Sequence, residues 1–172
     1  MKSKGFTIAE LIVVIAIIVI VSGVSLYTFS RSQKVRMVEG SAEEIRNLIS
    51  QAHSLAMNTP NQYINMEHID FKITTDAPNP TLLEIYTKDE DPLELYAKAE
   101  IPAKIDISFA NIATGGNASI ISFDATNNSG HLGQVINLDP SAEYGVITLT
   151  YSGITKNIYV DKLTGNVTSI AP

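Results

Sequence analysis

The chain has 172 residues, a formal net charge of −6, 45% hydrophobic residues and no cysteine. That length leaves room for one globular domain of modest size beside a membrane segment, and the missing thiols exclude a disulfide framework, a thiolate nucleophile and a cysteine metal site. The acidity is uneven: residues 59–172 carry six lysines against fourteen acids, a formal −8, and no arginine follows Arg46, a poor composition for binding phosphate backbones.

Lys2 and Lys4 precede Gly5, and from Leu11 to Ser30 there are twenty residues without a formal charge. At roughly 1.5 Å per helical residue such a run is about 30 Å long, the thickness of a bilayer's hydrocarbon. Read as a signal peptide, it has a basic start, and the small residues Ser22-Gly23-Val24-Ser25 would offer a cleavage point. The run is nevertheless longer than the usual apolar region of roughly 7–15 residues. Read as a plain anchor, it would keep Lys2 and Lys4 in the cytoplasm and place the remainder outside, which leaves Glu10 unexplained. An acid inside an apolar helix costs on the order of a few kcal/mol and needs a partner. With no basic residue between Lys4 and Arg31, the chain itself offers only the flanking lysines. Cleavage between Gly5 and Phe6 would supply a better one, because the new α-amine of Phe6 is a cation one helical turn from Glu10. That amine could pair within one subunit, or meet Glu10 of a neighbour and fix axial register. In a low-dielectric surround such a pair counts for more than in water, and either member alone is penalised.

The run Gly5-Phe6-Thr7-Ile8-Ala9-Glu10-Leu11, behind a short basic leader and ahead of an apolar stretch, resembles the processing motif of type IV pilins and of the pseudopilins of type II secretion. The resemblance implies a leader, residues 1–5, removed after Gly5 on the cytoplasmic face by a prepilin peptidase. It implies N-methylation of Phe6 and a Glu10 that guides assembly with other pilin or pseudopilin subunits at an inner-membrane platform. The mature chain then has an assembly and membrane half of the helix at residues 6–30, an amphipathic half at 31–58 and a globular domain at 59–172. The match departs at two positions: many relatives have proline where Tyr27 stands and glycine where Val19 stands. The helix-breaking effect of proline is therefore missing, although Gly23 with Ser22 and Ser25 could weaken the helix nearby.

Arg31, Lys34 and Arg36 form a collar after the apolar run, either solvated at the headgroups or paired with acids of adjacent subunits. Val35, Val38, Ala42, Ile45, Leu48, Ile49, Ala52, Leu55 and Ala56 then recur at three- and four-residue spacing, one face of an amphipathic helix. Glu39, Glu43, Glu44, Arg46 and Asn47 take the opposite face, and Asn58-Thr59-Pro60 is a stop signal. One helix from about Phe6 to Asn58 is expected, its second half lying on a sheet. After Pro60 the texture changes to short strands: Tyr63–Met66, His68–Thr74, Leu82–Thr87, Leu93–Ala97, Lys104–Phe109, Ala118–Asp124, Gly133–Leu138, Gly145–Tyr151, Thr155–Val160 and Val167–Ile170. Ser152-Gly153 closes a hairpin. A long helix followed by eight to ten mostly antiparallel strands is an α+β fold. Glu143 to Leu149 and Tyr159 to Val167 resemble, in pattern and glycine placement, the tail of H-type minor pseudopilins and FimT-like minor pilins, with Ile121-Ser122-Phe123-Asp124 and Gly130 matching a further strand loosely.

Chemistry is sparse. His53, His68 and His131 have no metal-ligand spacing, no Gly-x-Ser-x-Gly elbow occurs, and no phosphate-cradling glycine loop is present. The Asp89-Glu90-Asp91 and Asp124–Gly130 loops are read as solvated turns, with calcium as the alternative; the second lacks EF-hand order. Neither enzyme activity nor a cofactor is expected. The reading is a minor pilin-like structural subunit, anchored by one span in the bacterial inner membrane and then packed in a periplasmic or extracellular filament. The alternatives are a surface adhesin or major pilin, or a DNA-uptake minor pilin, which the acidic domain and the base-free tail Thr168–Pro172 disfavour.

Overall fold

The computed structural model describes residues 7–58, 67–76, 78–88, 94–115, 117–126 and 132–170, with 24–27, 88, 94 and 170 described by backbone alone. Helix α1, Ile8–Asn58, is continuous over 51 residues. By contact density the chain divides into two units, residues 1–36 and 37–172. The described part of the first is the apolar half of α1. Among the described residues the second holds the rest of α1 and nine strands: β1 His68–Thr74, β2 Thr81–Lys88, β3 Glu94–Ile101, β4 Asp106–Ala110, β5 Thr114–Gly115, β6 Ala118–Asp124, β7 Tyr144–Tyr151, β8 Ile154–Asp161 and β9 Val167–Ile170. The expected strand at Tyr63–Met66 lies outside the described residues.

In residues 37–58 the helix buries the face that periodicity picks out. Val38, Ala42, Ile45, Leu48, Ile49, Ala52 and Ala56 are buried, while Glu39, Glu43, Glu44, Arg46 and Asn47 are exposed. Small alanines between the isoleucines let the helix sit close on its support. Arg46 and Glu43 form an exposed pair at 3.0 Å, a contact that contributes a few tenths of a kcal/mol at most. At the far end the Asn58 side-chain amide donates to the Ser54 carbonyl oxygen at 2.8 Å. The same amide lies 3.1 Å from Ser54 Oγ, so the side chain folds back on the last turn.

The strands form two sheets, ordered β3-β2-β1-β6-β5 and β4-β7-β8-β9, and every pairing among the described strands is antiparallel. Alternation decides which side faces in: Ile69, Phe71 and Ile73 of β1 are buried while His68, Asp70, Lys72 and Thr74 are half-buried. Register places Phe71 between Ile85 and Ile121, and Ile69 beside Phe123. In the second sheet Ile147, Leu149, Ile158 and Val160 are buried, and they join the helical and β1-sheet side chains in one apolar cluster. The β7–β8 hairpin turns on Ser152 and Gly153, both left-handed at φ 53° and 80°, as a two-residue loop with type I′ handedness requires. On the edge strand β3 the register shifts so that Tyr96 is an extra residue, and Leu95 and Tyr96 are exposed; a bulge of this kind blunts an open edge.

The expected strand at Gly133–Leu138 is a correction. This segment is a seam with two isolated bridges, Phe123↔Val135 and Ile112↔Leu138. The Val135 N–H donates to Lys162 beyond β8, whereas Ile136 N–H donates to Ser122 of β6, so the segment links the two sheets and joins neither ladder. Asn137 replaces a backbone rung with its side chain: its Oδ1 accepts from Ser122 N–H at 2.9 Å and its amide donates to Ile120 O at 2.7 Å. The Lys162 ammonium ties the following turn, donating to the carbonyls of Asp139 and Pro140 at 3.2 and 3.0 Å.

Two glycines test this packing with opposite signs. A Cβ on buried Gly145 would lie 2.7 Å from Leu138 Cδ2 and 2.9 Å from Ile112 Cγ1, while one on helical Gly40 would meet nothing within 4 Å. Thermal melting of the full chain in detergent micelles should show Gly145→Ala destabilised by about 1–3 kcal/mol. Gly40→Ala should be stabilised by up to about 1 kcal/mol.

Candidate assembly site at the amino end of the helix

The first helical turn is closed by a reciprocal cap. Thr7 precedes the helix with Glu10 three residues on. The Glu10 N–H donates to Thr7 Oγ1 at 3.3 Å, and Glu10 Oε2 accepts from both Thr7 N–H and Thr7 Oγ1, each at 2.8 Å. This is a capping box, in which side chains satisfy helix-start N–H groups that have no partner inside the helix. The chain therefore gives Glu10 a partner besides the flanking lysines, which corrects the sequence-based expectation. The signal was present as Thr-x-x-Glu at the start of an apolar run.

Behind this cap every large apolar side chain from Ile8 to Val21 that is exposed is heavily so, from 46% at Val14 to 79% at Ile8. The helix is long and apolar enough to cross a membrane, and none of its most apolar window is buried within the protein. Glu10 is thus a carboxylate at the head of an apolar surface, carrying hydrogen bonds from its own chain. Lys2, Lys4, Gly5 and Phe6 lie outside the described residues.

The remaining candidates stand apart from this site. His53 is half-buried near the carboxy end of α1. His68 lies on β1 with Nε2 3.5 Å from Asp70 Oδ1. His131 and the Asp89-Glu90-Asp91 loop lie outside the described residues. Asp124 is buried, and its Oδ1 accepts from Thr126 N–H at 2.8 Å and Thr126 Oγ1 at 3.0 Å, an Asx turn that already engages this oxygen. Among the described residues no three His, Asp or Glu side chains converge as metal ligands would.

If the cap carries Glu10 through apolar surroundings, Thr7 is its essential donor. Thr7→Val removes the hydroxyl at nearly constant shape and should weaken the helix start by about 0.5–2 kcal/mol, with Thr7→Ser restoring it. Amide exchange of residues 8–11 in micelles reads the difference, and equal protection in wild type and Thr7→Val would contradict the assignment.

Residues 1–26 match the family model of the prokaryotic N-terminal methylation motif. No curated protein and no solved structure matches the chain. Such a motif implies prepilin-peptidase processing and assembly with other pilin subunits, and with the apolar helix it points to membrane anchoring. A methylation motif, a long amino-terminal helix and antiparallel sheets packed on its second half are together consistent with a pilin-like protein.

Proposed function

We propose that the protein is a minor pilin-like structural subunit, a pseudopilin of a type II secretion or type IV pilus filament, cleaved between Gly5 and Phe6 and methylated on the new terminus. The observation that carries this reading is Glu10 at the head of an exposed apolar helix, inside the match to the methylation motif over residues 1–26. Such a surface has two suitable surrounds, the acyl chains of a bilayer and the same helices of neighbouring subunits, and the chain occupies them in turn. Lys2 and Lys4 ahead of the apolar run favour a cytoplasmic amino end, with the sheet domain outside the cytoplasm. In the filament the α-amine of Phe6 in one subunit pairs with Glu10 of the next, and the penalty on an unpaired charge in low dielectric sets axial register. The sheet domain serves packing and display rather than catalysis, in keeping with the separation of its histidines and with its acidic, arginine-free composition.

Mass spectrometry of protein recovered from membranes should find a chain beginning at Phe6 with one added methyl group, and Gly5→Ala should retain residues 1–5. A wild-type chain that begins at Met1, or one trimmed near Ser22, overturns the reading. Glu10→Leu should insert and be cleaved normally yet enter filaments at least about tenfold less, the effect of about 1.4 kcal/mol of lost pairing. Undiminished incorporation would contradict the register role.

A further inference from the structure

Near the carboxy end of α1, His53 lies under two loops drawn from separate parts of the chain, residues 132–135 and 161–165. Both loops approach it through glycine in the left-handed conformation, Gly133 at φ 78° and Gly165 at φ 65°. A Cβ on Gly133 would lie 2.7 Å from His53 Nε2 and 2.8 Å from Met57 Sδ. One on Gly165 would lie 2.5 Å from His53 Cδ2 and 2.6 Å from the Gly133 carbonyl oxygen. The third wall is Phe123 of β6, whose ring is tilted 53° to the imidazole with centroids 5.7 Å apart. The slot is therefore moulded on an imidazole, and only glycine fits at two of its walls. His53 Nε2 is buried and has no hydrogen-bond partner among the described residues.

The surrounding charges are committed elsewhere. In the 161–165 turn the Asp161 carboxylate accepts from Thr164 N–H and Oγ1 at 2.7 and 2.8 Å, and the Lys162 ammonium is on the Asp139 and Pro140 carbonyls. On β6 the Asp124 Oδ1 accepts from Thr126. Residues 132–135 carry no titratable side chain, and neither do Ile49, Ser50, Ala56 and Met57, the helical neighbours of His53. A protonated imidazole would have two N–H donors and a charge inside this slot, which desolvation opposes. Burial accordingly holds the His53 imidazole below its ordinary pKa.

We infer that His53 is an acid-sensitive latch: neutral, its ring seats the 132–135 and 161–165 loops on the helix end; protonated, it leaves the slot and releases them. Residues 132–138 are the seam between the two sheets, so acidification loosens the joint between sheets, while the amino-terminal assembly site is untouched. This inference is independent of the filament reading. Above pH about 6.5 the ring is neutral whether seated or released, and the latch is insensitive to pH. Below that, the released ring takes up a proton that the seated ring refuses. The release equilibrium then rises by up to about tenfold per pH unit, until the seated ring titrates at its lower pKa.

The test uses the full chain in detergent micelles between pH 7.5 and 5.5. It measures exchange protection, corrected for intrinsic pH dependence, at Gly133, Val135 and Gly165, whose N–H groups bond to Asp124, Lys162 and Asp161 carbonyls. Protection should fall progressively below about pH 6.5 in the wild type, by up to about tenfold per pH unit, and stay flat in His53→Gln. Persistence of the fall in His53→Gln, or its loss instead in His68→Gln or His131→Gln, overturns the latch. Should His53→Gln not fold, an NMR titration of the wild-type imidazole decides. A His53 midpoint below 6.5 is expected, and one at or above 6.5 overturns the proposal.

Discussion

An apolar helical surface exposed on all sides, with a carboxylate at its head, is the constraint on which the rest depends. Eleven large apolar side chains between Ile8 and Val21 are exposed by about half or more. Covering them is worth on the order of 10 kcal/mol or more, comparable with the whole stability of an ordinary domain. The chain cannot leave that surface in water, and nothing among its described residues buries it. The remainder of the fold serves to carry this surface: a second helical half with an alanine-rich buried face, and two sheets that receive it.

Packing in residues 37–172 is divided between regular and improvised parts. The two ladders and the helix face bury isoleucine, leucine, valine and phenylalanine at their alternating positions, and this apolar cluster supplies most of the cohesion in a domain without disulfides. Beside this shared cluster, single contacts hold the seam between the sheets. Asn137 acts as a surrogate backbone rung, Lys162 clamps two carbonyls, and glycines at 133, 145 and 165 permit approaches that a Cβ would block. Polar staples of this sort are costly to leave half-made.

The parts legible in the sequence are those fixed by local chemistry. The buried helix face followed from residues three and four apart, and Ser152-Gly153 announced its own turn. β6 and β9 carry the bounds that alternation predicts. Non-local pairing was hidden. That β1 lies between β2 and β6 joins residues about fifty positions apart, and no local signal separates five strands into one sheet and four into another. Gly133–Leu138 has strand composition, yet its partners lie in both sheets, and β5 is too short for any periodicity to register. At the candidate site the reverse happened: the Thr-x-x-Glu pattern was visible, but Glu10 was matched only with cations, the flanking lysines and the α-amine of Phe6, and the hydroxyl and amide of Thr7 were passed over.

On the proposed reading, that local cap bears on how one acid would serve two surrounds. A carboxylate has two oxygens and about four acceptor positions, and both bonds from Thr7 fall on Oε2 of Glu10. A lone ionised side chain in hydrocarbon is expensive, and two short bonds from its own chain lower that cost before any partner arrives. Because the cap engages one oxygen, it leaves capacity for a cation from a neighbouring subunit, and because it fixes the side-chain rotamer, it reduces the entropy lost when that cation docks. A Thr7–Glu10 unit can therefore ride in lipid as a satisfied cap and enter a helical bundle as an oriented anion without first breaking a bond. Glutamate alone, with its side chain unrestrained, would meet the first surround at a higher energy and the second with less direction.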